Sequence, residues 1–311
     1  MGSVWVATNS AGTRIAVKVM HPHLRGDEDL AARFRREYDV GRTVRHPGLI
    51  SMIEYGDDAG TPFIAMELAA GKSLRRLVER GGPFPEGEVA AIGRSVADAL
   101  GALHSHGVVH RDLKSSNVVV SRGLATKVVD FGIARYVGTD GSSSWSGFAG
   151  SPEYSAPDAY FGKPPTESSD VYSLGIVLYE ALTGEVPFRA GHYADLLRMH
   201  AEQPVPHVKR LAPAVSGPMD QLIRSMLDKS PGARPDANTV AMTCARIAST
   251  FEAIPQKVAR AARPALAYAP PTSTSTPDGR RRGGLTIVIA VALFGIVAVA
   301  SAIVIAAAGG I

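Results

Sequence analysis

His110-Arg111-Asp112-Leu113-Lys114-Ser115-Ser116-Asn117, followed further along the chain by Asp130-Phe131-Gly132, is the stretch on which the reading of this 311-residue sequence turns. The first block lies between an apolar helical run and the strand-like Val118-Val119-Val120; the second leaves the apolar pair Val128-Val129. An aspartate on such a loop can accept the proton of a hydroxyl nucleophile, which makes Asp112 a candidate base. Lys114 can neutralise a transferring phosphoryl group, and Asn117 can bind a metal. Asp130, at a strand end and followed by Phe131-Gly132, suits Mg²⁺ coordination at phosphates. Either triplet alone carries little weight. The block with its Lys and Asn, followed at this spacing by the second block, is specific.

Upstream, Val4–Ala7 and Arg14–Met20 have strand composition and are joined by the turn Asn9-Ser10-Ala11-Gly12. The pattern predicts a helix over 27–44, broken by His46-Pro47-Gly48, then strands near 50–55 and 62–68. From there the period changes. Val89, Ile92, Val96, Leu100 and Leu103 mark one helix face, and Asp170–Thr183 is apolar nearly all round, as a buried helix would be. Further helices are expected at 193–202, 218–228 and 238–251. The expected fold is therefore α+β, with a small sheet-rich lobe (about 1–68) ahead of a larger helical one (about 69–251).

In this order the motifs resemble the eukaryotic-like serine/threonine protein kinases, most nearly the bacterial membrane-anchored members, over residues 1 to about 251. The resemblance implies a two-lobed protein-kinase-like fold, ATP as co-substrate with Mg²⁺ or Mn²⁺, protein substrates, and a homodimer for trans-autophosphorylation. Lys18, in Ala16-Val17-Lys18, resembles the strand lysine that holds the nucleotide phosphates, and Glu37 its partner. Met66-Glu67-Leu68 fits the hinge whose backbone meets adenine. Gly150–Asp158 is similar to the segment closing the activation loop, and the run from Ser169 through Asp170 to Gly175 to the start of the central helix. Arg234 matches the arginine that pairs with the acid at position 158. In the family, a lysine placed as Lys114 is goes with serine/threonine specificity. Arg111 implies a phosphate partner on the activation loop, for which Thr139, Ser142, Ser143, Ser144 and Ser146 are candidates.

Gly2 and Val4 match the last glycine and the valine of the family's glycine-rich loop, whose first two glycines and preceding strand are missing from this sequence. A start site placed too late is the expected reason, and a real loss the alternative. Asp158 stands where the family has Glu, one methylene shorter, and Ser151 where Thr is usual. Two rival functions follow: a non-catalytic pseudokinase scaffold at the membrane, or a small-molecule phosphotransferase. Four histidines, His46, His104, His106 and His110, raise the idea of a metal site, but no acid or cysteine spacing supports it. His110 is expected instead to orient the catalytic loop through hydrogen bonds.

The chain carries 33 basic and 29 acidic residues, a formal charge of +4. The body is balanced, and the excess falls at 252–284, which holds Lys257, Arg260, Arg263, Arg280, Arg281 and Arg282. A nucleic-acid partner is not expected. One cysteine, Cys244, excludes an intrachain disulfide. Residues 252–284, rich in Pro, Ser and Thr, predict a disordered basic juxtamembrane linker. Residues 285–308 carry no charge, and as a helix would extend about 36 Å at ~1.5 Å per residue, enough to span a ~30 Å hydrocarbon core. The arginines before it favour a cytoplasmic body. The expected placement is a single-pass protein of the plasma membrane with no extracellular domain.

Overall fold

The computed structural model describes residues 2–24, 27–130, 151–252, 288–292 and 300–304. In its N-terminal part β1 (Gly2–Thr8) and β2 (Arg14–Met20) pair antiparallel around a turn held by Asn9, whose side-chain oxygen accepts from the amides of Ala11 (3.1 Å) and Thr13 (2.8 Å). With β3 (Met52–Asp58) and β4 (Thr61–Glu67) they form an antiparallel sheet of order β1-β2-β4-β3. Strand period sorts β2 between two faces. Ile15 and Val17 join Ala7, Phe63 and Ala65 in a small cluster, while Ala16 and Met20 join Ile64 and Met66 in the main core. Lys18 shares the second face. A Cβ at Gly2 would collide with the Val19 carbonyl, so the close approach of β1 to β2 there requires glycine.

Helix α1 (Glu28–Thr43) is capped by Asp27, whose carboxylate accepts from the amide of Leu30 at 3.0 Å. Its buried residues Phe34, Glu37, Tyr38 and Gly41 recur at three- and four-residue spacing on one face. After β4 come β5 (Lys72–Ser73), α2 (Leu74–Gly81) and α3 (Glu86–His104). Val89, Ile92, Val96, Leu100 and Leu103 of α3 are all fully buried, the face expected from their period. Strands β6 (Val118–Val120) and β7 (Thr126–Val128) join β5 in a second small sheet.

Helix α4 runs Glu167–Thr183, with Val171, Tyr172, Leu174, Ile176, Val177 and Leu178 at 0–1% exposure. It starts a turn earlier than expected, at a cap where the Thr166 amide donates to Ser169 Oγ at 3.0 Å. Asp170 therefore lies inside the first turn. Helices α5 (Tyr193–Glu202), α6 (Gly217–Met226) and α7 (Ala237–Glu252) complete this part. Helices α3 and α7 pack so closely that a Cβ at Gly93 would come 3.0 Å from Cys244 Sγ, and one at Gly87 2.9 Å from the Phe251 Cβ.

Where a membrane helix was expected, β8 (Val288–Ala292) and β9 (Ala300–Val304) pair antiparallel, Val288 opposite Val304. Among the described residues, no helix is long and apolar enough to cross a membrane. The linker at 253–284 lies outside the described residues.

Candidate active site

The alternation of β2 directs Lys18 toward α1, where Glu37 lies one turn from Phe34. Lys18 Nζ donates to both Glu37 oxygens, at 2.7 and 2.9 Å, and also contacts Asp130 Oδ1. Lys18 is 6% and Glu37 1% exposed. Burial alone would pull the Lys18 ammonium down, but the Glu37 and Asp130 carboxylates outweigh it and hold its pKa above the ordinary lysine value. Lys18 is thus a fixed cation between two lobes.

The catalytic-block residues are held from beneath by Asp170. Its Oδ2 accepts from the His110 amide at 2.7 Å and from His104 Nε2 at 2.9 Å, and its Oδ1 from the Arg111 amide at 2.8 Å. Arg111 has φ +70°, a left-handed conformation costing about 1–2 kcal/mol outside glycine. The hydrogen bond that its N–H donates to buried Asp170 holds it there and sets the direction in which the chain continues to Asp112. His110 is fully buried; burial keeps its pKa below the ordinary value, so the ring is neutral, and its Nδ1 accepts from the Asp112 amide at 3.4 Å. A hydrogen bond to the backbone of this loop is the contact expected of it.

Around Asp112 the expected groups converge. Lys114 Nζ lies 2.9 Å from Asp112 Oδ2. Asn117 Nδ2 donates to the Asp112 carbonyl at 2.9 Å. Lys114 also donates to Ser151 Oγ at 3.0 Å, and that hydroxyl to Asp112 Oδ1 at 3.4 Å. The hydroxyl kept by Ser151 therefore touches both catalytic candidates. A shallow cavity opens here, lined by Asp112, Ser151, Ser155, Ala156 and Ser169 among others.

Asn117 and Asp130 are brought side by side by strand register. Val118 pairs with Val128, and the Val129 amide donates to the Asn117 carbonyl at 2.8 Å, so Asn117 enters β6 where Asp130 leaves β7. Asp130 has φ +66°. An amide and a carboxylate oxygen are hard donors of the kind Mg²⁺ or Mn²⁺ takes. The four histidines form no site: among the described residues, no group of three His, Cys, Asp or Glu could hold a metal.

Asp158 reaches Arg234 despite its shorter side chain. Nη1 lies 3.0 Å from Asp158 Oδ2, and the guanidinium also donates to the carbonyls of Asp228, Ser168 and Lys229. Val4 lies opposite Lys18 in the β1–β2 register, and Glu67 and Leu68 lie at the end of β4. Thr139, Ser142, Ser143, Ser144 and Ser146 lie outside the described residues.

Two contacts were not foreseen. Tyr154 donates to Glu180 Oε2 at 2.6 Å and meets Ser115 Oγ at 3.0 Å, tying the catalytic loop to α4. Its signal was Glu180, an acid within an apolar helix. The other is Lys127, which pairs with Glu67 at 2.9 Å; a lone strand lysine gives little warning.

A buried lysine–glutamate pair facing an Asp–Lys–Asn loop, between a sheet lobe and a helical lobe, is the plan of a phosphotransferase. Residues 1–243 match the family model for the protein kinase domain. The chain is 33% identical over 246 residues to serine/threonine-protein kinase pkn2 of Myxococcus xanthus, covering 76% of this chain and 30% of that protein. It is 34% identical over 236 residues to PknD of Mycobacterium tuberculosis (75% and 36% covered). It is also 34% identical over 244 residues to PkaA of Streptomyces coelicolor (77% and 44%). A crystal structure of Rad53 residues 1–466 in complex with AMP-PNP superposes with a TM-score of 0.65 at 24% identity, covering 77% of this chain and 60% of that one, and supports the fold. The chain belongs to the protein kinase family, among its bacterial serine/threonine members, and spans less than half the length of these curated relatives.

Proposed function

We propose that this chain transfers the γ-phosphoryl group of ATP to serine or threonine hydroxyls of proteins. The observation that carries the reading is the doubly held Lys18, bonded to Glu37 and contacting Asp130, facing the Asp112–Lys114–Asn117 cluster. Asp112 accepts the proton of the attacking hydroxyl. Lys114, already 2.9 Å from that carboxylate, lies against the charge that develops on the transferring group. Lys18 binds phosphate oxygens, kept charged and in place by Glu37. Asn117 and Asp130 would hold Mg²⁺, which neutralises phosphate charge when bound. The backbone at Glu67 and Leu68 meets adenine, with Gly2 and Val4 over the nucleotide.

Regulation follows the family pattern: autophosphorylation between two copies, at one or more of Thr139, Ser142, Ser143, Ser144 and Ser146, with Arg111 as the cation facing the phosphate. The uncharged run 285–308 supports an anchor in the plasma membrane. In a bilayer its backbone bonds would be satisfied within a single helix, and Arg280–Arg282 favour a cytoplasmic kinase body. The test of the central reading is phosphate transfer from Mg-ATP to a serine- or threonine-containing protein by the purified chain. Asp112→Asn should lower the rate by at least ~10²–10⁴. Undiminished transfer by that variant would remove Asp112 from its role.

A further inference from the structure

Lys127 is the middle residue of β7, a few positions ahead of Asp130, and belongs to none of the catalytic contacts above. Its ammonium donates to Glu67 Oε2 at 2.9 Å and to the Leu49 carbonyl at 3.2 Å. The same Glu67 oxygen lies 3.4 Å from the Ser51 amide, and the Glu67 amide donates to the Ser51 carbonyl at 2.9 Å. Residues 48–51 are in turn laced to β7: the Val128 amide donates to the Gly48 carbonyl at 2.7 Å and the Ile50 amide to the Val128 carbonyl at 3.0 Å. Three pieces of chain therefore meet at one ammonium. They are the strand that delivers Asp130, the segment entering β3, and the end of β4 where the backbone turns toward the helical lobe.

We infer that Lys127 is a positioning residue for nucleotide binding, acting through the Glu67 carboxylate. The inference rests on the phosphotransfer reading above. The adenine end of the site is set by the backbone at 67–68 and the phosphate end by Asp130. These lie on different strands, and backbone bonds join them only indirectly, by way of 48–51. The Lys127–Glu67 pair is the side-chain strut that closes this triangle, so both ends meet the nucleotide in a fixed relation. Preorganisation of this kind shows in binding rather than in the chemical step. Glu67 and Lys127 are 36% and 26% exposed at the side chain, so a modest effect is expected, not a collapse of the site.

The experiment uses the full chain as wild type, Lys127→Met, Glu67→Gln, the double variant, and Lys127→Arg, which keeps the charge. Three readouts are taken: Kd for a fluorescent ADP analogue with Mg²⁺, KM and kcat for Mg-ATP with a protein substrate, and Tm. Each single neutralising variant should raise Kd and KM about three- to fivefold, the size expected of a partly exposed pair, with kcat within about twofold. The double variant should be no worse than the worse single one, because both remove the same contact. Lys127→Arg should remain near wild type. Lowered Tm with unchanged Kd and KM would mean a purely structural pair and overturn the inference. Multiplicative effects in the double variant would overturn it as well. A wild-type chain that bound no Mg-nucleotide would sink the phosphotransfer reading and this inference together; variants that bind as well as a binding wild type sink the inference alone.

Discussion

Replacing Asp170 by asparagine keeps the volume of the side chain and removes its charge, at a residue that touches no reacting atom. The carboxylate serves three donors, Oδ2 taking the His110 amide and His104 Nε2, and Oδ1 the Arg111 amide. Asparagine has one acceptor oxygen. If that oxygen takes the Oδ2 place, two bonds survive without charge assistance, and the amide NH₂ is set against the Arg111 N–H. A buried donor left without an acceptor costs about 1–3 kcal/mol, and a charged acceptor is worth roughly 1 kcal/mol more per bond than a neutral one. The total is about 3–5 kcal/mol. For a domain of this size that corresponds to a fall in Tm of roughly 6–20 °C. The bond lost is also the one holding Arg111 at φ +70°. With it gone the residue relaxes toward ordinary backbone and carries Asp112 with it, so kcat should fall at least tenfold, a misplacement of about 1 Å being able to cost ~10²-fold. Thermal unfolding and steady-state kinetics on the full chain measure both. A variant within 2 °C and twofold of wild type would refute the idea that Asp170 holds the catalytic loop through these amides.

Acid should weaken the fold through His200, which is fully buried with Nδ1 2.9 Å from the Tyr172 hydroxyl. Burial pulls its pKa from 6.5 to about 3. Below the unfolded value the unfolded chain takes up a proton that the folded one refuses. The contribution is therefore intact above about pH 7 and lost as pH falls toward 3, at up to ~1.4 kcal/mol per unit. Denaturation by urea across pH 4–7 should show a slope that His200→Gln flattens, and equal slopes would rule His200 out as its source. Removal of 280–311 should move the protein from the membrane pellet to the soluble fraction with Mg-nucleotide binding retained; persistence in the pellet would count against the single anchor.

The catalytic loop was legible because its chemistry is concentrated in a few consecutive residues, so no tertiary knowledge is needed to bring Asp112, Lys114 and Asn117 together. The face of α3 was legible from period alone. The join of Lys18 to Glu37 was different: it came by resemblance, since nothing in the spacing of a strand lysine and a helix glutamate says that they meet. The Tyr154–Glu180 and Lys127–Glu67 contacts were missed for the same reason, being set by how α4 and β7 lie against distant segments. The start of α4 was placed late because Glu167, Ser168 and Ser169 are polar and the expectation followed the apolar run from Asp170, whereas the cap is at Thr166 and Asp170 lies in the first turn. At 288–304 a run of Val, Ile and Ala suits either period, and periodicity alone does not choose between strand and helix.

The seam between α3 and α7 bears on where this folding unit ends. The match to the family model stops at residue 243, midway along α7, yet the seam continues beyond it. Cys244 is fully buried, with its sulfur against Gly93, Ile247 is 5% exposed, and Phe251 closes over Gly87. A fragment cut at 243 would leave a glycine-lined trough on α3 open to water and forfeit the burial of Cys244 and Ile247, of order 1.5–3 kcal/mol for a side chain such as Ile247. That is a sizeable share of the ~5–15 kcal/mol by which whole domains stay folded. The last turns of α7 are thus a keel for the helical lobe, seated along α3 past the point where the family match ends.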